Sequence, residues 1–224
     1  MKEELSNWLS ELYYQNRPDE FETKKLLALY NISCPRGTRV ATQDSMQEGL
    51  TFPSPYVAKV SHPEMAHKTE QRGVITGLDQ GSLLEATDNL RASFPGSMLL
   101  IEEQIDFQAM EFIVGAINDS TLGPAVMVGA GGIYSELYDD VVFRLAPCGF
   151  QEAVRMITEL KAAPIFSGFR GMRLDKGGLA ETITSIGKLV IDLGDSFSQL
   201  DINPLVFTGE NWVALDATLY LADN

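Results

Sequence analysis

Short apolar runs alternate with amphipathic stretches along most of this chain, and that alternation restricts the fold more than any other feature. Leu5, Trp8, Leu9, Leu12 and Tyr13 recur at helical spacing and predict an amphipathic helix over Glu4–Tyr14. A second helix is expected over Asp19–Tyr30, with Phe21, Leu26, Leu27 and Leu29 on its apolar face. Further helices are expected over Thr42–Gly49, Ser82–Ser93, Gln151–Lys161 and Gly177–Leu193, the last capped near Gly194. Strands are expected over Thr38–Ala41, Tyr56–Val60, near Val74, Met98–Ile101, Glu111–Ile117, Ala125–Val128 and Val141–Leu145. Two C-terminal strands, around Leu200–Phe207 and Trp212–Tyr220, are joined by a hairpin turn at Thr208-Gly-Glu-Asn211. Helices and strands mixed in this way define an α/β or α+β class. The break at Phe94-Pro-Gly96 divides the chain into an N-terminal helical extension (1–18), a smaller lobe (19–97) and a larger one (98–224).

Charge narrows the partners. Seventeen basic residues against 31 acidic ones give a net charge of −14, which argues against non-specific nucleic-acid binding and against docking on an anionic membrane. Cys34 and Cys148 are the only cysteines and imply neither a disulfide framework nor a cysteine-rich metal site. The start, Met1-Lys-Glu-Glu-Leu5, has no apolar signal core, so a cytoplasmic location is expected.

A few residues stand out chemically. Lys59 lies inside the apolar run Val57-Ala-Lys-Val60, where an ammonium needs either water at a sheet edge or an anionic partner such as phosphate. His62 and His67, the only histidines, share one polar loop. A loop histidine is either a solvated bystander or, beside Lys68, a phosphoryl acceptor, because neutral imidazole is nucleophilic near pH 7. Gly129-x-Gly131-Gly132 follows an apolar strand and is either a plain turn or a phosphate-cradling loop. Asp201 and Asn203 place two oxygen ligands on one strand face, and Asp216 sits on the partner strand of the hairpin. Such a set suits Mg²⁺ shared with nucleotide phosphates, or a solvated sheet face.

Taken in order, these pieces resemble a known family. The stretches are Glu20-Phe-Glu-Thr-Lys24 with Leu26-Leu27, Tyr56-Val-Ala-Lys59, Ser61-His-Pro-Glu-Met-Ala-His67-Lys-Thr-Glu70 and Gly123-Pro-Ala-Val-Met-Val-Gly-Ala-Gly-Gly-Ile133. They continue through Glu136, Asp140-Val-Val-Phe-Arg-Leu-Ala-Pro147, Asp201-Ile-Asn-Pro-Leu205 and Leu215-Asp-Ala217. From about residue 19 onward the chain resembles the ATP-grasp domain of the ADP-forming acyl-CoA synthetases (acetate–CoA ligase, ADP-forming), as a beta subunit or the equivalent part of a fused chain.

The resemblance implies an ATP-grasp fold, two α/β lobes with ATP or ADP and Mg²⁺ between them, in an acid–CoA ligase. It implies that Lys59 contacts nucleotide phosphates, that Glu102, Glu103, Gln104 and Ile105 form the adenine hinge, and that Glu111 holds ribose hydroxyls. Gly131 and Gly132 fall in the glycine loop, Arg144 would neutralise phosphate charge, and Asp201, Asn203 and Asp216 would hold the metal. His67 matches the mobile-loop histidine that carries a phosphoryl group to ADP. The partner implied is a CoA-binding alpha subunit, or equivalent domain, with its own phosphorylatable histidine, in a hetero-oligomer. The chain departs from the family pattern in three places. Gln71-Arg72-Gly73 stands where a Gly-Gly pair is usual, Asn31 replaces a turn glycine, and Asp106–Met110 lacks the glycine that precedes Glu111. Two other readings stay open on the residues: a non-catalytic regulatory module of the same fold, and an ATP-grasp carboxylate ligase with no histidine relay.

Overall fold

The structure, a computed structural model, describes residues 2–12, 18–41, 50–62, 73–107, 110–132 and 140–222. The chain divides into two compact units: residues 1–18, 23–34 and 106–224 form the larger, and residues 19–22 and 35–105 the smaller.

The smaller unit is built on a fully antiparallel four-stranded sheet. Its strands are β1 (Gly37–Val40), β2 (Tyr56–Ser61), β3 (Val74–Leu78) and β4 (Met98–Glu103), in the order β1-β4-β2-β3. Alternation along β2 sends Tyr56, Ala58 and Val60 to an apolar face, where they cluster with Leu99 and Ile101. Helix α3 (Leu83–Ser93) supplies Leu83, Ala86 and Leu90 to the same cluster. The division expected near Gly96 falls instead after Ile105. The apolar run Met98–Ile101 fits any sheet, and it becomes a central strand of the small one because β1 and β2 pair on either side of it. At its end Arg36 donates through its backbone N–H (2.9 Å), Nε (2.9 Å) and Nη2 (2.6 Å) to the Glu103 carboxylate.

The larger unit holds a six-stranded sheet among the described residues, ordered β10-β8-β5-β6-β7 with β9 also on β8. The strands are β5 (Glu111–Asp119), β6 (Gly123–Ala130), β7 (Val141–Leu145), β8 (Phe197–Phe207), β9 (Trp212–Ala214) and β10 (Ala217–Leu221). The second C-terminal strand, expected to be continuous, is interrupted at Leu215-Asp216, and both pieces pair with β8. On one sheet face Phe112, Val114, Val126, Val128, Leu200 and Ile202 join the core. Helices α4 (Phe150–Glu159) and α5 (Lys176–Leu193) cover that face through Met156, Ile157, Ile183 and Ile186. Asp175 caps α5 by accepting from the Gly177 N–H at 2.9 Å. Helix α1 (Lys2–Leu12) buries Leu5, Trp8 and Leu12 in the same core. Helix α2 runs over Glu20–Leu29, and Leu26 and Leu27 are fully buried. The helix expected over Thr42–Gly49 lies outside the described residues, as does most of the loop carrying His67. No described helix is long and apolar enough to cross a membrane.

Two outcomes follow from this packing. A Cβ at Gly115 would collide with the Leu200 carbonyl oxygen across the β5–β8 ladder. Gly115→Ala is therefore expected to destabilise the protein by about 1–3 kcal/mol, measured by urea unfolding. Arg36 holds the Glu103 carboxyl below the usual carboxylate range, chiefly through its side-chain hydrogen bonds. A depressed folded value stabilises above the ordinary glutamate range and is lost as pH falls through that lowered value. Wild type is thus expected to lose more thermal stability than Glu103→Gln on acidification from about pH 6 to about pH 3.

Candidate functional site

Strand alternation places the oxygen-bearing residues of the larger unit. On β8, Leu200 and Ile202 point to the core, so Asp201 and Asn203 take the opposite face. Ile202 pairs with Ala217 and Leu205 with Ala214 in one unbroken register, which puts Asn203 directly across from Asp216. The Asn203 N–H donates to the Asp216 carbonyl at 3.2 Å, and the Leu215 N–H donates to the Pro204 carbonyl at 3.0 Å. On its other side β8 carries a bulge, because Asn203 and Pro204 together oppose the single residue Ile113. The bulge and the β9–β10 interruption meet at the same point, and three candidate metal ligands gather around it. One Asp216 carboxylate oxygen accepts from the Ala217 N–H at 2.8 Å. Lys24, buried on α2, donates to the Leu215 carbonyl at 2.7 Å and fixes the residue beside Asp216.

Two carboxylates and an amide are hard oxygen donors, suited to a divalent cation that completes its shell with phosphates and water. Among the described residues no three His, Cys, Asp or Glu side chains are grouped so as to hold a metal ion by themselves. The residues present fit Mg²⁺ on the chemistry of the donor set.

Glu111, at the start of β5, shares the face of Asp201 and Asn203, since Phe112 and Val114 occupy the core side. The structure brings Gly131 and Gly132 against it. The Gly131 N–H donates to the Glu111 carbonyl at 2.8 Å, so it pairs strands instead of standing open to a phosphate. A Cβ at Gly131 would lie 2.9 Å from the Glu111 carbonyl carbon, and one at Gly132 would lie 3.3 Å from its Oε2. These glycines serve close approach to Glu111. The same face continues over Met127 and onto β7, where Phe143 and Leu145 are about half exposed.

Arg144 does not join this group. It pairs with the core residue Val126, which turns its side chain to the helix-covered face. There its Nε donates to Glu152 at 2.7 Å and its Nη2 to Glu159, both on α4. These two carboxylates hold the guanidinium firmly protonated. The placement expected for phosphate neutralisation fails because adjacent strand residues face opposite ways, and Phe143, not Arg144, shares the face of Asp201.

In the smaller unit Lys59 sits on a central strand, between Leu100 of β4 and Val74 of β3, so the sheet-edge alternative is excluded. It is 7% exposed, and its Nζ lies 2.8 Å from Glu20 Oε1 and 2.8 Å from Glu102 Oε2. Glu102, expected in the adenine hinge, turns its carboxylate to Lys59 in space that Gly37 leaves open. Beside this cluster Asp19 accepts from Arg39 (3.0 Å) and Ser61 (2.9 Å), while Glu22 accepts from Arg39 (3.2 Å). Of the other residues expected in the adenine hinge, the Glu103 N–H donates to the Arg36 carbonyl and the Gln104 N–H to the Pro55 carbonyl. Gln104 Oε1 accepts from the Gly77 N–H at 2.6 Å. Neither N–H of that pair remains for a base. Sequence reasoning missed Glu20 as a partner of Lys59, and the Asp19–Arg39 pair beside it. The charged turn Glu20-Phe-Glu-Thr-Lys24 was the available signal. His67 lies outside the described residues. A cavity of about 480 Å³ lies beside α5, lined by Asp175, Glu181 and Ser185, and contains none of the expected site residues.

Comparison with known proteins identifies the family. The beta subunit of ADP-forming acetate–CoA ligase I of Pyrococcus furiosus is 33% identical over 221 residues, covering 92% of this chain and 93% of that one. A crystal structure of a Pyrococcus horikoshii protein, PH1788, superposes with a TM-score of 0.86 at 29% identity over the whole of both chains. The dinucleotide-forming acetyl-coenzyme A synthetase 1 of Ca. Korarchaeum cryptofilum superposes with a TM-score of 0.81 at 26% identity, covering 96% of this chain and 99% of that one. That protein was solved with coenzyme A and Mg-AMPPCP, its phosphohistidine segment pointing towards the nucleotide-binding site. The sequence profile of the ATP-grasp domain matches residues 13–221, and the chain belongs to the ATP-grasp family.

Proposed function

We propose that this chain is the nucleotide-binding subunit of an ADP-forming acyl-CoA synthetase and moves a phosphoryl group between a histidine and ADP. The observation that carries the reading is the gathering of Asp201, Asn203 and Asp216 at one bulge, on the sheet face that also bears Glu111. The near full-length likeness to an acetate–CoA ligase beta subunit supports it. The Mg-AMPPCP complex of the Korarchaeum relative supports ATP or ADP with Mg²⁺ as the ligands.

Phosphoryl transfer asks a protein mainly for positioning and charge neutralisation. Asp201, Asn203 and Asp216 are the residues that would hold Mg²⁺, which when bound offsets phosphate charge. Glu111 accepts hydrogen bonds from ribose hydroxyls, and Lys59 is the small-unit cation for the phosphates. An imidazole nitrogen of His67 attacks the phosphorus carried by a phosphohistidine of the CoA-binding partner. One P–N bond forms as the other breaks. A terminal oxygen of ADP then attacks the same phosphorus, forming ATP and returning His67 to neutral imidazole. The acyl chemistry belongs to that partner, an alpha subunit or fused equivalent.

Labelling with γ-³²P-ATP and Mg²⁺, with and without the CoA-binding partner, tests this reading. Acid-labile, base-stable label is expected on the wild-type chain and absent from His67→Asn, whose nucleotide affinity stays within about twofold of wild type. Equal loss of labelling and of affinity would remove the relay role. Asp216→Ala is expected to weaken ADP binding about tenfold or more in Mg²⁺ and far less in EDTA, by isothermal titration calorimetry. An unchanged metal dependence would reject the ligand assignment.

A further inference from the structure

We propose that Lys24 is a positioning residue for the metal site: it supplies the hydrogen-bond donor that Pro204 cannot, and so sets how Asp216 meets Mg²⁺. This deepens the nucleotide reading and rests on Asp216 being a metal ligand.

The strand register creates the need. Pro204 stands opposite Leu215, and Asn203 opposite Asp216. In a regular antiparallel ladder, two residues bonded face to face exchange both of their N–H to C=O bonds. Leu215 makes its own, donating to the Pro204 carbonyl at 3.0 Å. Proline has no N–H to return. The Leu215 carbonyl therefore receives no bond from the residue opposite, and it takes one from outside the sheet, from the Lys24 ammonium at 2.7 Å. The N–H and C=O of Leu215 thus serve different neighbours, β8 and α2, which turns the peptide between Leu215 and Asp216 out of the ladder. The next carbonyl, that of Asp216, returns to β8 and accepts from the Asn203 N–H at 3.2 Å.

Lys24 is itself firmly placed. It is 6% exposed and stands on a helix held in the core by Leu26 and Leu27, both fully buried. The Tyr30 hydroxyl donates to Asp192 at 3.0 Å and ties the chain just past α2 to α5. The backbone then reverses through Asn31, at φ 58°, and the Ser33 carbonyl accepts from the Ala214 N–H at 2.8 Å. Residues 24–33 thus hold two successive residues, Ala214 and Leu215, immediately before the candidate ligand. Packing alone would not call for an ammonium here, since methionine fills the same space without desolvating a charge. Removing the donor takes a partner from the Leu215 carbonyl and loosens the turned peptide that leads into Asp216.

Metal and nucleotide contributions are separated by titration. Dissociation constants for ADP are measured by isothermal titration calorimetry in Mg²⁺ and in EDTA on wild type, Lys24→Met, Asp216→Asn and the double variant, each checked for folding by its thermal transition. The ratio of the EDTA constant to the Mg²⁺ constant reports what the metal adds. In Lys24→Met that ratio is expected to fall about 3- to 10-fold, while the constant in EDTA stays within about twofold of wild type. Because Lys24 acts through Asp216, adding Lys24→Met to Asp216→Asn is expected to lower the ratio by less than about twofold more. With neither metal nor nucleotide present, amide hydrogen exchange at Leu215 and Asn203 is expected to quicken about tenfold in Lys24→Met, and exchange along the β5–β6 ladder to stay unchanged. Lys24→Gln, a neutral donor one atom shorter, gives the same readings should Lys24→Met fail to fold. If Asp216→Asn leaves the ratio unchanged, Asp216 is no ligand and the premise fails. If Asp216→Asn lowers it, and folded Lys24→Met either keeps the wild-type ratio or lowers it as much beside Asp216→Asn as alone, the positioning role is overturned and the premise stands.

Discussion

The antiparallel ladder between Glu111–Asp119 and Phe197–Phe207 decides where every other part of the larger unit goes. Its alternation commits Leu200 and Ile202 to the core and Asp201 and Asn203 to the opposite face. A slip of one residue would bury two polar side chains and expose two apolar ones, so the hydrophobic core also enforces the geometry of the candidate metal ligands. Gly115 is the tightest point of this ladder, where backbone approaches backbone with no room for a methyl group. The two irregularities in the sheet, the β8 bulge and the gap between β9 and β10, fall together on Asn203 and Asp216. The candidate ligands thus stand where the pleat is locally relaxed, and regular pairing on either side keeps the register.

The smaller unit solves a different problem. Asp19, Glu20, Glu22, Arg39, Lys59 and Glu102 bring six ionisable groups onto the sheet face turned away from the α3 core. Burying charges costs several kcal/mol each unless they are matched, and here every one has a partner within hydrogen-bond reach. Such a cluster adds little net stability. It confines the side chains to one arrangement, since breaking any pair strands a charge in a poorly hydrated place.

Much of this was legible in the residues. Helical and strand periods located most described elements, and the hairpin turn at Thr208–Asn211 closes as expected, with Thr208 N–H donating to Asn211. Asp201, Asn203 and Asp216 were readable because strand parity and hairpin register are local properties. Arg144 went astray because parity tells which residues share a face but not which face is covered. That depended on where α4 packs. Lys59 was readable as an anomaly, and its partners were not. Glu20 and Glu102 come from distant stretches, brought together by the pairing of β2 with β4 and the position of α2. The affiliation of Met98–Ile101 was undecidable for the same reason, since an apolar strand carries no mark of the sheet it will join.

The interleaving of the two units along the chain has a consequence for how the molecule is made. All four strands of the smaller sheet have been synthesised by residue 103, before any strand of the larger one, and their pairings are mutual, so that sheet has its complete complement early. The larger sheet cannot close in that way. Its organising strand, β8, begins at Phe197, so β5, β6 and β7 emerge before the partner that joins them to β9 and β10 exists. About 90 residues separate Glu111 from Asp201 on the same sheet face, and one flank of β5 stays unpaired while they are made. Among the described elements, the sheet that bears the candidate metal ligands is the last to be completed, and the exposed flank of β5 is where a chaperone would have most to protect.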